Sequence, residues 1–456
     1  MTSAPDRLPK TSIDPAPRAS WRDSLAVYLQ RRVLIVMLLG FSSGLPLALS
    51  GSTLLVWMRE SGVDLGTIGL FALVGTPYTL KFLWAPLTDA LHVPWFTRAF
   101  GRRRGWLLCS QLLLIVSILL LALTDPARSP LFVALGALLV AAMSSTQDIV
   151  VDAFRVESLP ESEQAAGMAS YVAAYRIGML VSTAGALFLV SAYEGTGIAR
   201  SSAWMWGYVT MAALVLIGTA TALFATEPEQ SARAEAATST ETALTRVTQA
   251  AVGAFSEFLV RKDALTALAF VVLFKFTDAF SGTMTAPFVI DLGFSRNDYA
   301  AIVKGVGLAA TLIGGFAGGF VARRYSLAAS LWIGGVLQAI ANLSFSWLAI
   351  VGVNQWALAF AITAENFTSA IGTVIFVAYL SALCQNPLHT ATQYALLTAL
   401  AAVGRTYLSS GAGFVAKATG WPLFFAICVA VAVPSLILLS WLQRRGHFAA
   451  LEMAKA

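Results

Sequence analysis

Apolar residues run through this chain in long blocks, not in alternation with polar ones. Blocks of membrane-spanning length occur about twelve times, at residues 33–57, 67–88, 106–123, 131–153, 165–192, 203–224, 264–290, 299–321, 327–350, 355–383, 390–415 and 421–442. Each can cross the hydrocarbon core as a helix, which satisfies its backbone hydrogen bonds internally. The pattern predicts an all-α polytopic membrane protein, and the blocks are numbered here as spans 1 to 12. Residues 1–32 are polar, basic and Pro-containing and predict a tail. The apolar block after them is too long for a cleaved signal peptide. Between spans 6 and 7, residues 226–262 turn Glu-, Ala-, Ser- and Thr-rich, while Leu244, Val247, Ala251, Ala254 and Phe258 recur at helical spacing. This predicts an amphipathic linker helix on the membrane surface or against the bundle.

The blocks repeat. Ser50-Gly51-Ser52 leading to Gly62 matches Ser281-Gly282-Thr283 leading to Gly293, 231 residues later. Ala173-Ala174-Tyr175-Arg176 in span 5 is similar to Ala401-Ala402-Val403-Gly404-Arg405 in span 11. The expected organisation is a tail (1–32), a six-helix half (33–225), the linker (226–262), a second half (263–443) and a tail (444–456). Two pseudo-symmetric halves joined by a polar linker resemble the major facilitator superfamily.

Hydrophobic residues make up 57% and charged ones only 12% of the 456 residues, which excludes an ordinary soluble domain. The net charge of +6 follows topology and does not point to nucleic acid. With both termini inside, cytoplasmic segments hold 20 of the 30 Lys and Arg and the outer loops five, Arg59, Arg128, Arg200, Arg296 and Lys417. That bias fixes the expected orientation. Cys109, Cys384 and Cys428 lack metal or redox spacing, and His92, His389 and His447 lie in loops or tails, so no metal or other cofactor is expected. No nucleophile–base pair is visible, which argues against an enzyme.

The remaining charges sit inside spans, where each needs a partner, a proton or water. The sharpest case is Ser144-Ser145-Thr146-Gln147-Asp148-Ile149-Val150-Val151-Asp152-Ala153-Phe154-Arg155. On a helix Ser144, Asp148, Asp152 and Arg155 form one stripe, which must face protein or a cavity. Lys81 and Asp148 each lie five or six residues from the cytoplasmic end of their spans. The superfamily lines its cavity with spans 1, 4, 7 and 10 and its seam with spans 2, 5, 8 and 11. On that scheme every intramembrane base (Lys81, Arg176, Lys275, Lys304, Arg405) and acid (Asp148, Asp152, Asp278, Glu365) falls on a cavity or seam helix. Spare cations suit an anionic solute, and acids needing neutralisation suit proton coupling. Other roles stay open. Lys275 and Asp278, at i and i+3, are open to mutual neutralisation. Asp148 and Asp152 are open to gate pairing, and Arg176 and Arg405 to bracing the seam. Lys81, Asp89, Arg102, Arg103, Asp152 and Arg155 are the candidates for a cytoplasmic gate.

Three motifs carry a more specific resemblance. Gly40-Phe41-Ser42-Ser43-Gly44-Leu45-Pro46-Leu47-Ala48-Leu49-Ser50-Gly51-Ser52-Thr53-Leu54, Lys81-Phe82-Leu83-Trp84-Ala85-Pro86-Leu87-Thr88-Asp89, and the span 4 stretch resemble the AmpG muropeptide permeases. The likeness is dense over 33–180 and looser beyond, where it rests chiefly on Lys275-Phe276-Thr277-Asp278. It implies an inner-membrane importer, with the lipid bilayer and protons as its other partners; a monomer is expected. The implied cargo is GlcNAc-1,6-anhydro-MurNAc and its peptides, moved by proton symport for peptidoglycan recycling. In that family import can signal β-lactamase induction. An alternative cargo within the same fold is another anion, such as an acyl-coenzyme A, a peptide or a drug. Some relatives carry a longer C-terminal region, whereas twelve spans are expected here. By resemblance Gly44, Gln147 and Asp148 are site residues. Arg176, Lys275 and Arg405 are the candidates for stem-peptide carboxylates, Gln147 for sugar or amide groups, and Asp148, Asp278 or Glu365 for the proton.

Overall fold

The computed structural model describes residues 26–228, 263–383 and 390–453. The expected linker helix and the side chain of Asp89 lie outside the described residues. Among the described residues, ten helices are long and apolar enough to cross a membrane: Arg31–Glu60, Arg102–Ala122, Pro130–Ser158, Ala166–Gly195, Arg200–Phe224, Ala264–Asp291, Arg296–Arg324, Leu327–Val351, Gln355–Leu383 and Trp421–Arg444. They are spans 1, 3–10 and 12. Spans 2 and 11 are broken. Span 2 passes from Leu65–Leu70 through a 3₁₀ turn, Phe71–Gly75, into Thr76–Leu80, Lys81–Leu83 and Ala85–Ala90. Span 11 runs Thr390–Tyr407, then a 3₁₀ turn, Leu408–Gly411, then Ala412–Thr419.

Local chemistry explains the ends. Asp64 caps span 2 by accepting from the Gly66 and Thr67 backbone N–H, and Ser295 caps span 8 in a capping box with Asp298. The two caps are 231 positions apart, the spacing of the repeat. Span 4 runs to Ser158, five residues beyond the expected end, because the first stop is Leu159-Pro160. Asp148 therefore lies ten residues from that end, about 15 Å along the axis, deeper than the sequence suggested.

The halves repeat in packing as in sequence. Span 1 packs on spans 5 and 6 as span 7 packs on 11 and 12, and span 3 packs on 4 and 6 as span 9 packs on 10 and 12. Small residues permit the closest crossing. A Cβ at Gly44 would meet the Tyr175 carbonyl of span 5, and one at Gly178 would meet the Phe41 carbonyl of span 1.

Across the seam, span 2 meets 11, span 5 meets 8, and the last turns of span 1 meet span 7. The seam is irregular backbone. The 3₁₀ turns of spans 2 and 11 touch each other, as do π-helical turns at Val181–Gly185 and Tyr299–Val306. Seam packing was expected for these spans, but the irregular turns were not.

Candidate functional site

A cavity of about 580 Å³ lies between the halves, lined by spans 1, 2, 5, 7, 8, 10 and 11. That volume is in the range of pockets that hold drug-sized ligands, roughly 300–1,000 Å³. Arg176 of span 5 and Arg405 of span 11 reach it from opposite halves, beside Lys304 and Glu365. Both arginines are exposed. Among the described residues neither guanidinium has a hydrogen-bond or ion-pair partner, so two cations stand ready for anions. Lys304 lies over the Tyr299 ring, 5.5 Å from its centroid. Glu365 accepts from Asn366 Nδ2 at 2.8 Å. Three cations thus face one acid on the wall.

The other candidates are placed differently. Lys275 Nζ donates to Asp278 Oδ2 and to Thr373 Oγ1, each at 3.0 Å, and Ser369 donates to Asp278 Oδ1 at 2.6 Å. This network joins spans 7 and 10 and satisfies its own charges, and neither residue lines the cavity. Gly44 is a helix contact. Gln147 Nε2 donates to Ser43 Oγ at 3.2 Å. Gln147 and Asp148 are buried behind the cavity wall, and no span 4 residue lines it. The span 4 stripe faces protein at Ser144 and Asp148 but not along its whole length. Ser144 is fully buried and Asp148 is 8% exposed, while the Asp152 side chain emerges at 48%, paired with Arg155 at 3.6 Å. Lys81 is the cation whose charge bears on Asp148.

The loop arginines hold their own half together. Arg103 clamps Glu157 at 2.5 Å, and Arg102 lies 3.9 Å from it. The backbone N–H groups of Arg103 and Arg104 donate to Glu227 at 2.8 and 3.0 Å. Gly101, at φ +93°, makes room, since a Cβ there would strike the Glu227 side chain.

At the opposite end lies a cluster that no sequence motif announces. Glu60 accepts from Arg296 at 2.7 Å and from Trp204 Nε1 at 3.2 Å. Asp291 accepts from Arg59 and, at 3.2 Å, from Trp421 Nε1. Arg296 also pairs with Glu194, and Lys417 reaches Asp64 at 3.4 Å. Every one of these ion pairs joins one half to the other. Among the described residues, the ion pairs between halves all gather at this end. Sequence alone marks Arg59 and Arg296 only as loop cations. The available signal was that Glu60 and Asp291 share the 231-residue spacing of the repeat.

Residues 36–408 match the Major Facilitator Superfamily model. The chain is 40% identical to the anhydromuropeptide permease of Escherichia coli (strain K12) over 416 residues, 91% of this chain and 80% of that protein. It is 35% identical to putative transporter AmpG 4 of Rickettsia felis over 92% of this chain and 98% of that one. Among solved structures, a point mutant of the nucleoside transporter NupG aligns with a TM-score of 0.67 at 14% identity, over 92% of this chain and 99% of that chain. A POT family transporter bound to a thioalcohol-conjugated peptide aligns at 0.65 and 12% identity, over 91% and 96%. These structures speak for the fold alone. The matching relatives are named as permeases and transporters, not enzymes, and the chain belongs to the AmpG family of membrane permeases within the major facilitator superfamily.

Proposed function

We propose that the protein imports anhydromuropeptides, GlcNAc-1,6-anhydro-MurNAc and its peptides, across the inner membrane by proton symport with alternating access. One observation carries this reading: the guanidiniums of Arg176 and Arg405, one from each half and unpaired among the described residues, face the same cavity. A stem peptide offers carboxylates that two planar forks can hold together. Closing both halves on one solute also couples cargo to rocking, because the bound anion is shared between the moving bodies. The 40% identity to a protein named anhydromuropeptide permease supports the cargo class.

The positive-inside bias puts both termini in the cytoplasm and the Glu60–Arg296 cluster at the periplasmic face. The described conformation is then closed to the periplasm. Its inner gate would use Lys81, Asp89, Arg102, Arg103, Asp152 and Arg155, which would pair with the second half when the cytoplasmic side closes. Asp148 and Glu365 are the acids suited to the proton. Asp278 is less suited, because Lys275 already neutralises it. The transporter works as a monomer and takes no cofactor beyond the proton gradient.

The test is complementation of a bacterial strain that lacks muropeptide uptake and releases anhydromuropeptides into its medium. Expression of the protein should stop the release. Undiminished release, with the protein present in the membrane, would overturn the cargo assignment.

A further inference from the structure

Among the described residues, four buried polar atoms on spans 2 and 4 have no hydrogen-bond partner: Tyr78 Oη, Ser144 Oγ, Gln147 Oε1 and Asp148 Oδ1. Orphaned atoms of this kind cost about 1–3 kcal/mol each, so four in one place require an explanation. Ser144 is the informative one. A serine or threonine in an apolar helix usually donates to a carbonyl one turn back. Ser145 and Thr146 both do so, to Ala142 at 3.0 and 2.8 Å. Ser144 does not. Its neighbour across the helix gap is Tyr78, whose hydroxyl is adjacent to both Ser144 and Ser50 without a hydrogen bond of good geometry to either. Ser50 is already engaged with the carbonyls of Pro46 and Leu47.

We infer that a water molecule binds between Tyr78, Ser144 and Asp148 and links the central cavity to the buried carboxylate of span 4, with Tyr78 positioning it. The spacing fits. Ser144 and Asp148 are one helical turn apart on the same face, about 5.4 Å along the axis. One water with two hydrogen bonds of about 2.8 Å spans that distance. Three polar partners match the usual environment of a buried water. Tyr78 is the member of the cluster that also lines the cavity, so the water has an entrance. The charged and titratable groups around Asp148 are Tyr78 and Lys81 on span 2, Asp152 one turn on, and Tyr171 and Tyr175 on span 5.

In use, a cavity hydronium gives one proton to the bound water as the water gives one of its own to Asp148 Oδ1. One O–H bond forms at the carboxylate, one breaks at the water, and the water is regenerated. The Tyr78 hydroxyl donates to the water throughout and changes its protonation in neither direction. The inference rests on the proton-symport reading above. Its test uses purified protein in proteoliposomes and two measurements with labelled anhydromuropeptide: accumulation driven by an imposed pH gradient, and counterflow exchange without one. Tyr78→Phe and Ser144→Ala should each lower the ratio of accumulation to exchange at least tenfold. An unchanged ratio in either variant, or equal loss of both activities, overturns the water link. Wild-type accumulation that ignores the pH gradient overturns instead the symport reading on which it rests.

Discussion

Glu60 and Asp291 occupy equivalent positions in the two halves, and each accepts an arginine from the half to which it does not belong. Each also has a tryptophan partner in the first turns of the last span of its own half, Trp204 on span 6 and Trp421 on span 12. Each carboxylate is thus oriented within its own half by an indole N–H and captured from across the seam by a guanidinium. The latch is reciprocal, so under the alternating access proposed above both copies should break together.

Removing one partner should release this end. Arg296 and Glu60 have side chains only 8% and 10% exposed, and breaking a buried pair costs about 3–5 kcal/mol. Arg296→Gln should therefore move the equilibrium toward a form open at this end by roughly two to four orders of magnitude. Arg59→Gln should act in the same direction and less, because Arg59 is 25% exposed. A pair of spin labels on the periplasmic ends of spans 1 and 7 reads the change as a longer distance. An unchanged distance distribution in Arg296→Gln would show that packing alone holds this end closed.

The cavity arginines should govern affinity for anions. A hydrogen bond to a charged group contributes about 1.5–3 kcal/mol, so Arg176→Gln or Arg405→Gln should raise KM about 10- to 150-fold for a muropeptide with a stem peptide. The peptide-free anhydro-disaccharide, with fewer carboxylates, should suffer less. Initial uptake rates across a concentration series check this. Equal losses for both cargoes would assign the arginines to the seam instead.

Much of this arrangement is legible in the chain. Run length locates the spans, and the shared Arg176 and Arg405 positions in the two repeats anticipate two cations on one cavity. Lys275 and Asp278 stand at a spacing that allows mutual neutralisation, and they neutralise each other. What stays hidden involves contacts between distant residues. Arg59 and Asp291 are 232 positions apart, and no local pattern announces such a pairing. The 3₁₀ and π turns at the seam are equally silent, because they arise from the packing of spans 2 on 11 and 5 on 8. Resemblance makes Gly44 a site residue. Its place is a crossing of spans 1 and 5 that leaves no room for a side chain.

That crossing makes a stability prediction. Gly44→Ala sets a methyl group against the Tyr175 carbonyl, and Gly178→Ala does the same against Phe41. Overpacking of this kind costs about 1–3 kcal/mol. Both variants should melt at lower temperature in detergent, and Gly315→Ala, where a Cβ meets nothing within 4 Å, should not. Equal melting temperatures for all three would refute the close crossing.

The short helix His447–Met453 should respond to pH. Tyr379 Oη and His447 Nε2 lie 3.2 Å apart, and Arg445 pairs with Asp263 at 3.7 Å. Burial holds the His447 imidazole below its ordinary value of 6.5, with Asp263 opposing. The docked helix then binds fewer protons than the released one. Docking is strongest above pH 6.5 and weakens as pH falls below that value. Amide hydrogen exchange across 447–453 should be faster at about pH 5.5 than at about pH 7.5 after correction for intrinsic rates. His447→Phe should remove the difference, and a difference that persists in His447→Phe would place the titrating group elsewhere.

The central claim is that two arginines, one from each half, bring an anionic muropeptide through this cavity with a proton. Uptake of labelled anhydromuropeptide by right-side-out membrane vesicles tests it most directly. Vesicles with the wild-type protein should accumulate the label, an uncoupler should abolish accumulation, and the Arg176→Gln, Arg405→Gln double variant should fall to the level of empty vesicles. Undiminished accumulation by the double variant, or accumulation that survives the uncoupler, would contradict the account.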